Sequence, residues 1–579
     1  MKRTPRTFLV RLPADVAHQC ASFLDVFDLP SLFDTSRSVR VMVIGHLRTA
    51  RQLRLLQEVR GPAGAIDPAS RWLRLLSTFT RNLHVLDLHG TRWTTNPGGD
   101  LLVPVIRANT NTLHTIDGVK DFSEEALTAL VDCPELRRIG PSEGLSVSCD
   151  VSTVKCRKLE SLYLHRDDGG DQLNTEDARA ALRDLPLSRL HLENIHPLVL
   201  AAVVPTNLTE LSLVFASNNC DRNDIQRLVR LVAEAPSLRI FRLVMNGFSG
   251  ASSICFDLPV CQEFKLHING GSTVPTFRAP RVSKLLLQPA ALDNLHDLAA
   301  SHPDLTHLNL ETATPGDIVA DLPIPVLPRM TSFCFMGWMS PITALRFCTW
   351  KSLTSLDIAL DDHSLDTYAI AVLLSSLPSL VTAGFEVAEH RQYLNAGTPL
   401  PSLISQPTLT QLTLVNCNDD RLFAALHAPH LTKLDLLGSN TADLTPFLSR
   451  CPALIDLNVQ RVGTTAAGML RLPALRRLDC RDASPPLEST LIRAAPMLTA
   501  LCFRCVEPEF PVVPASVEHL MLTVLMHRHL TAFRHVLQQL PNLHKLDIHV
   551  PIADPSFEVA VREFCPLVNL VMDKSQRPL

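Results

Sequence analysis

A six-residue pattern, Leu-x-x-Leu-x-Leu, returns along this chain so regularly that few folds can accommodate it. It reads NLHVLDL at 82–88, KLESLYL at 158–164, NLTELSL at 207–213 and DLTHLNL at 304–310. It continues as SLTSLDI at 352–358, TLTQLTL at 408–414, HLTKLDL at 430–436 and NLHKLDI at 542–548. With Ile, Val, Phe, Met or Cys admitted at the apolar places, about 21 copies run from Leu83 to Leu567 at a mean step of about 24 residues. The fourth and sixth places alternate with polar neighbours, so on a short strand they point the same way. The first Leu packs beneath them where the chain turns into that strand.

This period falls within the 20–29 residues of leucine-rich repeats. The expected fold is an α/β solenoid, a curved horseshoe with a parallel sheet on its concave side and helices or turns outside. A second signature precedes many copies: CPEL at 133–136, APSL at 235–238, HPDL at 302–305, LPSL at 377–380 and CPAL at 451–454. Short helical patterns lie ahead of it, as in DFSEEALTALVDCP (121–134) and DIQRLVRLVAEAP (224–236). Proline cannot continue the helix and turns the chain toward the next strand. Three buried aliphatic side chains stabilise a repeat by roughly 6 kcal/mol. Ordering about 24 residues costs several times that, so each repeat depends on both neighbours. The Asn/Cys site of such repeats is kept only at places such as Asn246, Asn269 and Cys417.

Composition narrows the class. At 46% hydrophobic and 19% charged residues, the chain is globular in character. A net charge of −4 argues against a general nucleic-acid binder, which needs a strongly basic face. No apolar run reaches the roughly 18–20 residues of a membrane span, and Arg11 interrupts any signal-peptide core. The 15 cysteines are scattered singly, as expected for reduced thiols in a cytoplasmic or nuclear protein.

Residues 1–60 read as a helical module, 61–80 as a connecting or capping segment, and 81–579 as the solenoid. Pro13 suits a helix start, and Val16, Cys20 and Leu24 share one helical face. The stretch LPADVAHQCASFLDVFDLPSLFDTSR, Leu12 to Arg37, resembles an F-box. Leu12, Pro13, Val16, Cys20, Phe23 and Leu24 match its pattern without a gap, and Asp28, Leu29 and Leu32 continue it. Val39 stands where that pattern usually has Trp. The adjoining stretch, 39–61, reads as helix. The resemblance implies a Skp-type adaptor on Leu12, Pro13, Val16, Cys20, Leu24, Leu29 and Leu32, and through it a cullin-RING ligase. With a Leu-rich array behind it, the chain resembles F-box/leucine-rich-repeat proteins, the substrate receptors of SCF-type ubiquitin ligases. The alternative is a plain interaction scaffold whose head only caps the first repeat.

Motifs for chemistry are sparse. Cys502 and Cys505 form a lone C-x-x-C with no second pair nearby, and Cys502 should point outward from its strand. No Walker lysine, H-E-x-x-H or Gly-x-Ser-x-Gly pattern occurs. Neither catalysis, cofactor nor metal is expected. Carboxylates recur at the outward centre of the strand, at Asp87, Asp357, Asp435, Asp479 and Asp547, where they should face concave solvent. Arg242 and Lys265 hold that place in consecutive repeats, with His267 beside them, as a local basic step. The expected contact set for a protein substrate is therefore Arg242, Lys265, His267, Asp435, Asp479 and Asp547.

Overall fold

The structure, a computed structural model, describes residues 47, 51–54, 68–87, 98–117, 124–139, 158–165, 182–183, 185–193, 203–215, 222–246, 255–269, 276–288, 302, 304–311, 327–337, 341–360, 365–387, 399–438, 444–460, 470–481, 485–504, 512–523, 530–549 and 569–573. It divides at Val282/Ser283 into two units.

The first unit holds β1 (Gln52–Arg54), β2 (Val85–Asp87), β3 (Thr115–Asp117), β4 (Arg138–Ile139), β5 (Ser161–His165), β6 (Arg189–Glu193), β7 (Glu210–Phe215), β8 (Ile240–Asn246), β9 (Cys255–Asp257), β10 (Glu263–Asn269) and β11 (Thr276–Arg278). β1 to β8 pair in parallel in sequence order, and β8 then pairs with β10. β9 and β11 form a separate two-stranded sheet. Helices α1 (Pro68–Phe79), α2 (Gly98–Ala108), α3 (Glu124–Val131) and α4 (Arg222–Ala233) link successive strands.

The second unit holds β12 (Lys284–Gln288), β13 (His307–Glu311), β14 (Ser332–Gly337), β15 (Ser355–Leu360), β16 (Thr382–Glu386), β17 (Ile404–Ser405), β18 (Gln411–Val415), β19 (Leu426–His427), β20 (Lys433–Leu437), β21 (Asp456–Gln460), β22 (Arg477–Asp479), β23 (Ala500–Arg504), β24 (His519–Thr523), β25 (Lys545–His549) and β26 (Asn569–Asp573). All pair in parallel with their sequence neighbours. β17 and β19 are the exception, pairing with each other to the side. Each unit is thus a leucine-rich-repeat stack.

The apolar phase read from the sequence holds throughout. Every first place from Leu83 to Leu543, and every fourth place from Leu86 to Leu546, is buried. Strand register puts like on like: Leu308 lies beside Phe333, Phe333 beside Leu356, and Leu412 beside Leu434. Scarce aromatics are concentrated in two places. Phe241 stacks on Phe264 with centroids 5.6 Å apart, and Phe333, Phe347 and Trp350 pack within 5.1 Å of one another.

The X-Pro-x-Leu signature is a closed turn. The N–H of Leu136 donates to Cys133 O, Leu238 to Ala235 O, Leu305 to His302 O and Leu454 to Cys451 O, at 3.1–3.3 Å. Proline takes the second corner, where its fixed φ is already suitable. The missing Asn ladder has a substitute at the second place of the pattern. Thr306 Oγ1 donates to Ser283 O, Thr331 to Thr306 O, Thr354 to Thr331 O and Thr432 to Thr410 O, at 2.9–3.1 Å. These hydroxyls pin one strand entrance to the last. In the first unit, buried Asn109 does related work: its Nδ2 donates to Thr80 Oγ1 and Val105 O, and its Oδ1 accepts from Leu83 N–H.

One expectation is corrected at the head. The segment 39–61 reads as helix, yet Gln52–Arg54 is a strand in register with Val85–Asp87. The stack therefore begins ahead of Leu83. Leu53 is in register with Leu86, a match that a single short copy does not advertise.

Candidate partner-binding face

The third, fifth and seventh places of each repeat point away from the core and form three parallel rows. Strands stand about 4.8 Å apart, so each row is a ladder of neighbouring side chains. What the face can bind depends on which of those side chains are already engaged with one another.

In the first unit Arg242 and Lys265 sit side by side, as the sequence implies, with His267 on the next outward row beside Val244. The basic step is nonetheless a correction. Arg242 Nη1 reaches Glu210 Oε1 at 3.2 Å and its Nη2 reaches Glu263 Oε1 at 2.9 Å. Third-place glutamates on the two flanking strands neutralise it, and that row is absent from the contact set expected from the sequence. Arg138 likewise bonds Asp117 at 3.0 Å. Between these pairs lies a cluster that sequence reasoning missed. Tyr163 stacks on His191, centroids 4.2 Å apart, and its hydroxyl donates to Glu193 at 2.5 Å. Burial, reinforced by that carboxylate, pushes the Tyr163 phenol well up. An outward Tyr in a chain with only three was the available signal.

In the second unit Asp435 and Asp479 lie two strands apart in the fifth row, with Asn458 between them. Asp547 lies three strands beyond Asp479. None is a free carboxylate facing concave solvent. Lys433 Nζ meets Asp435 at 3.2 Å, and Thr413 also donates to it. Arg481 clasps Asp479 through two nitrogens at 2.6 and 3.0 Å. Asp547 is 6% exposed and takes His519 Nε2 at 2.7 Å and Lys545 Nζ at 2.8 Å. Lys433, His519 and Lys545 in the third row and Arg481 in the seventh supply these partners.

Cys502 is another correction. It holds an outward place but is buried among Asp479, Met521 and their neighbours. Burial pushes the thiols of Cys261, Cys417 and Cys451 up to about 12, which makes them poor nucleophiles. Among the described residues no three His, Cys, Asp or Glu side chains are grouped to hold a metal ion.

The middle strands differ. Asp357 is exposed, and no hydrogen-bond or ion-pair partner reaches it among the described residues. It leans over Gly384 on the next strand, where an added Cβ would lie 2.5 Å from its Oδ1. Water around it is thinned by the flanking strands, which raises its carboxyl pKa. Met336, diagonal to it on β14, is 44% exposed.

The head residues Leu12, Pro13, Val16, Cys20, Leu24, Leu29 and Leu32 lie outside the described residues. No helix among the described residues is long and apolar enough to cross a membrane.

No protein-family model matches the chain, and no curated protein matches it. Solved structures do. One is CroV588, described as a circular leucine-rich-repeat protein, at 13% identity over 86% of this chain and 70% of that one, with a TM-score of 0.36. Another is a structural-genomics protein from Bacteroides fragilis, at 12% identity over 45% of this chain and 69% of that one, with a TM-score of 0.25. Both TM-scores are below 0.5, so the repeat assignment rests on this chain's own strand register.

Proposed function

We propose that the chain is a non-enzymatic scaffold that captures a protein partner on the outward face of its repeat strands. The observation that supports this reading is the division of labour along each strand. The inward places are consumed by the core, while the outward places present an ordered lattice of polar, aromatic and charged groups. The test is co-purification of the full chain with its cellular partners, repeated with Tyr163→Ala, Lys265→Glu and Asp357→Lys. Loss of a partner from a folded variant supports the face; a partner retained by all three moves the interface elsewhere.

A second reading is favoured by the head sequence. Leu12, Pro13, Val16, Cys20, Leu24, Leu29 and Leu32 resemble an adaptor-binding F-box, which would make the chain a substrate receptor of a cullin-RING ligase in cytoplasm or nucleus. An adaptor pull-down decides it. Replacement of Leu12 and Pro13 by Ala should abolish capture; an unaltered chain that captures no Skp-type adaptor leaves the plain scaffold.

A further inference from the structure

Carboxylates on the outward face fall into two kinds. Asp117, Glu193, Glu210, Glu263, Asp435, Asp479 and Asp547 each have a hydrogen-bonding or cationic partner within the chain. Glu311 on β13 and Asp357 on β15 have none among the described residues. The reason lies in the rows around them. From β13 to β16 the third, fifth and seventh places hold no Lys or Arg. His307 does not compensate, since burial and nearby Lys284 lower its pKa and disfavour its cationic form.

Between these two carboxylates runs β14, which presents Cys334 and Met336. After burial, Asp357 and Glu311 are the influences that push the Cys334 thiol up to about 11, so both lie close enough to act on one point. Met336 is 44% exposed, in register with Glu311 and diagonal to Asp357, whose neighbour on β14 is Cys334. Gly384 makes room for the Asp357 carboxylate, which leans over it: an added Cβ there would lie 2.5 Å from its Oδ1. A strand step of about 4.8 Å places a group sitting over β14 within reach of both β13 and β15.

We propose that β13–β16 form a cation-reading notch for a protein partner. It takes an arginine or lysine whose aliphatic stem lies on Met336 and whose charge sits between Glu311 and Asp357. Long cationic side chains combine these two needs, an apolar stem and a charged end. The inference rests on the face being a partner surface, and it adds the chemistry of the group received.

A fluorescein-labelled oligo-arginine peptide, titrated into the full chain by anisotropy, tests the notch without any cellular partner. Glu311→Gln with Asp357→Asn should weaken binding about tenfold, as two partly screened ion pairs are lost. Glu125→Gln with Glu234→Gln removes the same charge from two exposed positions off the strands and should change nothing. Met336→Ala should weaken binding severalfold and Met336→Leu should restore it. Equal weakening by both double variants means diffuse attraction, and overturns the notch. In the unaltered chain the peptide should also slow alkylation of Cys334, read by mass spectrometry; an unchanged rate overturns the proposal even if a variant fails to fold. A chain that ignores the peptide yet loses its cellular partner on Asp357→Lys overturns the cationic ligand and leaves the scaffold reading intact.

Discussion

Two stretches of the second unit, β13–β16 and β20–β25, have the same strand spacing and the same buried leucine rows, yet their outer faces differ. From β20 to β25 the fifth-row carboxylates Asp435, Asp479 and Asp547 are each held by a cation from the third or seventh row. From β13 to β16 the outward rows carry no Lys or Arg, and Glu311 and Asp357 have no partner among the described residues. Geometry alone therefore does not make an outward charge available for binding. Availability depends on what the two rows beside it carry.

If the difference is confined to the outer face, the inner layers should respond alike. Leu308→Ala and Leu434→Ala should each cost about 3 kcal/mol in chemical denaturation, since both fully buried side chains leave a cavity. Markedly unequal losses would place the difference in the core and break the comparison. Asp547→Asn should cost about 2 kcal/mol, because Lys545 and His519 then lose a charged partner at a buried site. Thr354→Val should cost about 1 kcal/mol, the worth of one hydroxyl in the ladder.

Asp357→Asn should have the smallest effect, within about 0.5 kcal/mol in thermal denaturation near neutral pH. Its pH dependence is more informative. Burial raises the folded-state pKa, so between the unfolded and folded values the native chain binds more protons. This group therefore makes stability fall as pH rises through the carboxylate range, and the Asn variant should lack that contribution. A destabilised Asn variant would reveal a partner for Asp357 and erase the contrast with Asp547.

The inward phase was legible because one apolar error would flip a whole strand, so the apolar places repeat without exception from Leu83 to Leu546. The outward face was legible only one row at a time. Reading the fifth row alone found Arg242 but not Glu210 and Glu263, which lie in the third row of its neighbours. It found Asp547 but not the two side chains that cover it. Contacts between rows depend on register, and register here comes from loops of irregular length. β1 escaped for a related reason: three residues with a single Leu, Leu53, carry too little pattern to be distinguished from helix.

Among the described residues of each unit, a strand of the main sheet pairs with the strands before and after it, and each threonine hydroxyl of the ladder reaches back to the preceding strand entrance. Under tension such an arrangement has no long-range staple to resist as a whole. Pulled from one end, it should unzip from that end in steps, each releasing about 24 residues or roughly 80 Å of extended chain. A partner laid across several strands would bridge those steps and merge them into one larger event, so its footprint could be counted in repeats by force alone.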